Sequence, residues 1–131
     1  MHENDDPITL QATATARHHV HAAHAAVADV DASLQAARTA LEQALTRRPR
    51  DVRLLTCLGA VACDQGEHHR ASELLTLAVA LGSQDRNTFF NLGVALLNSG
   101  CADQARARFA EARAMKASGH TWEAYFDPQA H

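Results

Sequence analysis

Four histidines fall within seven residues of the stretch RHHVHAAHAAV: His18, His19, His21 and His24. Imidazole is a common metal ligand and the side chain whose ordinary pKa lies closest to neutrality. The cluster therefore raises three readings: a metal site, a pH-responsive surface, or packing residues of a helix. His18, His21 and His24 are spaced i, i+3, i+6, so on a helix they advance by about 60° each. Adjacent pairs could share a metal, but three on one helix do not converge easily, and so incomplete a ligand set argues against a metal site. Protonating all nine histidines would carry the net charge from −3 to +6. Cys57 and Cys63, in CLGAVAC, are six apart and face different directions on one helix, which suits small apolar filler better than a redox or metal pair. No Gly-rich phosphate loop, His-Glu-x-x-His helix or Gly-x-Ser-x-Gly elbow occurs. No catalytic residue, metal or cofactor is expected, and the chain reads as a non-enzyme.

The elements that carry these residues are helices. Apolar residues make up 47% of the 131 positions but few are aromatic, so alanine supplies much of the core. Alanine favours closely packed helices over sheets. The net charge gives no general pull toward nucleic acid or anionic membrane. The one basic cluster, Arg47, Arg48, Arg50 and Arg53, suits a helix C-terminus beside Pro49. No apolar run is long enough to span a bilayer. MHENDDPITL is acidic where a secretory signal is basic, and an odd, scattered set of three cysteines fits a reducing compartment. A cytoplasmic location is the expectation.

Two stretches superimpose without a gap, Leu54 to Leu81 and Thr88 to Met115. Leu58-Gly59 and Leu92-Gly93 lie 34 residues apart, as do Gly66 and Gly100, Ala71 and Ala105, Leu75 and Phe109, Ala78 and Ala112. Gly59 and Gly93 fall mid-helix, where glycine costs about 1 kcal/mol relative to alanine. A helix carries that cost where a neighbour comes too close for a Cβ. One further step back lands on Ala37, Leu41, Ala44 and Pro49, with His21 and His24-Ala25 at the leading large and Leu-Gly positions. The pattern resembles the tetratricopeptide repeat (TPR) over residues 18–119, with repeats at 18–51, 52–85 and 86–119, the first divergent. Residues 1–17 form a lead-in and 120–131 a short aromatic stub. Helices are expected near 19–31, 34–46, 53–65, 68–81, 87–99 and 102–115. The resemblance implies an all-α fold, a right-handed superhelical stack of antiparallel helix pairs. It also makes His21 and His24 packing residues.

In TPR proteins the first helix of each pair lines a concave groove that holds a partner peptide. Carrying those positions over gives His19, Ala22, Ala26 and Asp29 from the first repeat. The second gives Arg53, Thr56, Ala60, Cys63 and Asp64, and the third Asn87, Phe90, Asn91, Val94, Leu97 and Asn98. Such a floor is small and apolar with polar edges, suited to an extended segment with one or two apolar anchors. The clamp that some relatives use on acidic chaperone tails is replaced here by Ala22, Ala26, Cys57, Asn87 and Asn91, which argues against that ligand. The implied function is a protein-protein interaction scaffold. The alternatives are a dedicated secretion chaperone, similar to the class II type III kind, and the repeat region of a larger modular enzyme.

Asp6-Pro7 is a good helix start, yet ITLQATATA alternates like a strand, so a helix and a frayed lead-in are both open. At the other end Trp122, Tyr125 and Phe126 crowd five residues. Either they plug the last helix or they form an oligomer contact. The expectation leans to a two-fold dimer through that end, because exposed aromatics are costly in water.

Overall fold

A computed structural model describes residues 6–25 and 29–125. Among these residues there are six helices and no strand: α1 (Pro7–His24), α2 (Val30–Arg47), α3 (Val52–Asp64), α4 (His68–Ala80), α5 (Arg86–Asn98) and α6 (Ala102–Arg113). None is long and apolar enough to cross a membrane. Local chemistry sets the boundaries. Asp6, Asp29, Asp51 and Asp85 each cap a helix by accepting a backbone N–H from its first turn. Gly66 and Gly100 adopt positive φ (78° and 83°) and close α3 and α5. Glu67 N–H bonds to Ala62 O and Cys101 N–H to Leu96 O, so both helices end in the same Schellman turn. Three-residue loops then turn α4 and α6 back against their partners.

The odd-numbered helices form one layer. α1 packs on α3 and α3 on α5, while α2, α4 and α6 each lie against their sequence neighbours, and Arg70 of α4 reaches Glu42 of α2 at 3.0 Å. Within the pairs, the mid-helix glycines admit a knob from the next helix. A Cβ on Gly59 would stand 2.5 Å from Leu75 Cγ, and one on Gly93 would stand 2.5 Å from Phe109 Cε1. α3 is buried continuously from Arg53 to Cys63. A helix is apolar all round only when every side is covered. α2 and α4 cover one side, α1 and α5 the flanks, and the fourth is covered by residues 120–125.

The first pair departs from the repeat. α3 and α5 begin at Val52 and Arg86, and α4 and α6 at His68 and Ala102, each 34 residues apart. α1 and α2 instead begin at Pro7 and Val30, 45 and 38 residues before α3 and α4. α1 thus absorbs the expected lead-in and ends at His24, not 31. Its inward face is Thr9, Ala12, Thr13, Ala16, Val20 and Ala23, spaced for one side of a helix. That phase leaves His21 and His24 exposed, which corrects their assignment as packing residues. Thr9 supplies the reason a threonine-rich segment holds as helix here: its hydroxyl donates to Asp51 Oδ2 at 2.7 Å, tying α1 to the cap of α3.

Candidate functional site

The face made by α1, α3 and α5 holds a peptide, and the peptide is the chain's own. After α6 the backbone loses helical form and residues 116–125 run back across the odd-numbered helices. Lys116 O accepts from Arg86 N–H at 3.0 Å at the start of α5. Ser118 N–H donates to Asp85 Oδ1 (3.0 Å) and the Thr121 hydroxyl donates to Asp85 Oδ2 (2.6 Å), so the residue that caps α5 also grips the tail. Asn87 Nδ2 donates to the same Thr121 oxygen at 3.0 Å. Asn91 bridges the backbone in both senses: its Nδ2 donates to Trp122 O (2.9 Å) and its Oδ1 accepts from Ala124 N–H (3.0 Å). From α1, Arg17 donates to Thr121 O at 2.8 Å.

Trp122 is the anchor. It is 6% exposed and joins the apolar cluster that contains Ala16, Val20, Leu54, Cys57, Ala60 and Val61. The Arg17 guanidinium lies 5.4 Å above its ring, within cation–π range. Among the described residues its buried indole Nε1 meets no hydrogen-bond acceptor. Tyr125 then packs over α1, its ring 4.6 Å from that of His24 and 6.1 Å from that of His21. Beneath the tail, Cys57 Sγ points at His120 O, 3.6 Å away. Burial pushes this thiol far above its ordinary value, and the nearby Arg17 charge only partly opposes that. Thiolate chemistry at Cys57 is therefore suppressed.

The expected groove residues divide into three groups. Ala60, Asn87, Asn91 and Val94 are buried under or beside the tail. Thr56 and Cys63 lie in the seam between α3 and α5: the Thr56 hydroxyl shares a 2.6 Å hydrogen bond with Thr88, and Cys63 Sγ lies 3.8 Å from Asn91 O. Arg53 is buried at the start of the same helix, and Asp64 is half-buried at its end. Phe90 turns the other way, onto Phe109 with ring centroids 5.4 Å apart, in a cleft shared with Arg86, Ala112 and Arg113. His19, Ala22, Leu97 and Asn98 are half-buried, the last donating to Val94 O within its own helix. Asp29 is not on the face, because α1 ends before it and its carboxylate caps α2. Ala26 and Phe126 lie outside the described residues.

Trp122 and Tyr125 are turned into this chain's own groove rather than outward at its end. Arg17 and Asp85 complete the site without having stood among the expected groove residues, and Cys57 was named there only at a clamp position. Asp85 caps α5, but nothing local in sequence signals its second role, or that of Arg17, whose partner lies 104 positions away. Among the described residues no three His, Cys, Asp or Glu side chains come together in a way that could hold a metal ion. The chain matches no family model and no curated protein.

Proposed function

We propose that this chain is a non-catalytic interaction scaffold, a TPR-like right-handed stack of helix pairs whose α1/α3/α5 face binds an extended segment of a partner protein. The observation that carries the reading is the two-way bond between the Asn91 amide and the backbone at Trp122 and Ala124. A side-chain amide used in this way recognises main chain, which every extended segment offers. The 34-residue offset shared by α3/α4 and α5/α6, with its paired glycine contacts, supports the repeat architecture. The polar rim of Arg17, Asp85 and Asn87 around small apolar residues supports peptide over small molecule.

The test is selection of peptides from a displayed random library on the full chain, followed by mapping of the binders by backbone amide chemical shifts. Binders should perturb Arg17, Asn87 and Asn91. Binders that perturb only α2, α4 and α6, or a library that yields none, would refute the reading. No observation favours the secretion-chaperone or modular-enzyme readings over the plain scaffold.

A further inference from the structure

We infer that residues 118–125 are a tethered ligand masking the peptide site, and that the partner segment displacing them carries an apolar anchor without an N–H where the tail carries Trp122. The inference rests on the proposed peptide-binding face and specifies its occupant and its regulation.

Three observations support it. First, the bonds that hold the tail are mostly indifferent to its sequence. Arg17, Cys57, Asp85 and Asn91 reach the main-chain atoms Thr121 O, His120 O, Ser118 N, Trp122 O and Ala124 N. The side chains read are the Thr121 hydroxyl, the Trp122 and Tyr125 rings, Ala124, and Glu123, whose carboxylate lies 3.9 Å from Arg86. A segment from another protein can make the same main-chain bonds. Second, the anchor fits imperfectly. The indole N–H is buried and meets no acceptor among the described residues, a loss that weakens binding by about tenfold relative to an isosteric ring without the N–H. The pocket thus suits an apolar ring and is filled by one that carries an N–H. Third, the tail follows directly on α6, which ends at Arg113. So short a tether holds even a poor ligand at an effective concentration of order millimolar. A partner therefore binds with its affinity lowered by the fraction of chains whose face is open. Masking of this kind keeps an apolar groove covered until a better-fitting segment arrives.

The experiment uses the full chain and two synthetic peptides. One is Ser118–Tyr125; the other is the same with benzothienylalanine at the anchor, in which sulfur replaces the indole N–H. Trp122 is the sole tryptophan of the chain, so its emission reports its own burial, and the benzothienyl peptide adds no indole. Saturating wild-type protein with that peptide should red-shift the Trp122 emission to that of a solvent-exposed indole, while Cys57, covered by the peptide as it was by the tail, stays protected. A Thr121→Ala chain, whose tail loses both hydroxyl bonds, should bind the peptide about tenfold more tightly than wild type. Asn91→Leu in the Thr121→Ala background should abolish that binding. The natural peptide should bind about tenfold more weakly than the benzothienyl one.

Equal affinity for wild-type and Thr121→Ala chains with Trp122 emission unmoved overturns the inference, because the tail would not be competing. Absence of binding to a folded Thr121→Ala chain also overturns it, making the tail a fixed part of the core. Neither result touches library-selected peptides that footprint on Arg17, Asn87 and Asn91, so the two readings fail separately. Should Thr121→Ala not fold, the emission of the wild-type chain decides alone.

Discussion

Replacing Gly59 with alanine sets two effects of known size against each other. Alanine gains about 1 kcal/mol over glycine inside a helix. The new methyl, however, would stand 2.5, 2.6 and 2.9 Å from Leu75 Cγ, Cδ2 and Cδ1. Ordinary carbon contacts are about 3.5–4.0 Å, so Leu75 must retreat by roughly 1 Å. It has nowhere to go, since it is fully buried and belongs to the cluster containing Ala62, Cys63 and Leu92. Overpacking at such a site costs about 1–3 kcal/mol, and three simultaneous overlaps place it at the top of that range. The net loss is about 2 kcal/mol, or a fall in Tm of about 8 °C for a chain of this size. Gly93→Ala provides the internal control. There the methyl meets the edge of the Phe109 ring at 2.5–2.9 Å, but Phe109 is only half-buried and lines a cleft of about 320 Å³ into which the ring can swing. Its net cost should stay below about 1 kcal/mol. Urea unfolding followed by circular dichroism separates the two. If Gly59→Ala melts at or above the parent, or Gly93→Ala is the more damaging change, the close-approach account of these glycines is wrong.

Asp85→Ala removes a helix cap and two tail bonds together, so it should cost about 3 kcal/mol in urea; a loss no larger than that of an ordinary cap would mean the tail grip adds nothing. In the native chain, thiol reagents should modify half-buried Cys101 readily and leave buried Cys57 and Cys63 protected until the protein unfolds, as mass spectrometry of the labelled protein can show. Rapid native labelling of Cys57 would place it outside the tail's cover. Partial burial pushes the Asp6 carboxyl upward, but hydrogen bonds from Arg48, the Ile8 N–H and Thr9, with the Arg48 charge, bring it net below its ordinary 3.8. A carboxylate lowered on folding stabilises the fold above that value and ceases to do so as pH falls through its folded pKa. The Ile8 amide shift should therefore titrate with a midpoint below 3.8, and Arg48→Ala should raise it; a midpoint at or above 3.8 in the parent would refute the assignment. With Trp122 folded into its own chain the apolar reason for pairing is gone, and sedimentation should give a monomer across the micromolar range. A dimer that dissociates on truncation at Gly119 would restore the end-to-end contact.

The last four helices could be read from the sequence because their contacts repeat. Gly59 with Leu75 and Gly93 with Phe109 are the same contact written twice, and the turn glycines mark both ends of the offset. α1 misled because its inward face is threonine and alanine with Val20 as its one large apolar residue, too weak a stripe to fix the helix phase. Extrapolating the repeat then placed the conspicuous His21 and His24 on the inside, where Val20 and Ala23 lie instead. Asn87 and Asn91, whose amides both contact the chain's own tail, were named from their repeat positions alone. Their occupant was not, since residues 120–125 carry no periodicity and their partners lie between 31 and 104 positions away.

The bond from Arg17 to Thr121 joins the first helix to the last segment, and that changes how the stack should come apart. A linear array of helix pairs is nearly one-dimensional: each unit touches only its neighbours, and the ends fray independently while the middle persists. Here the tail crosses all three inner helices, so α1 cannot peel away without losing contacts made by residues that follow α6. The two ends of the array become one cooperative unit, and unfolding becomes a single event. Amide exchange should accordingly protect the inward face of α1 to the same degree as α3, with no gradient of stability from the centre outward.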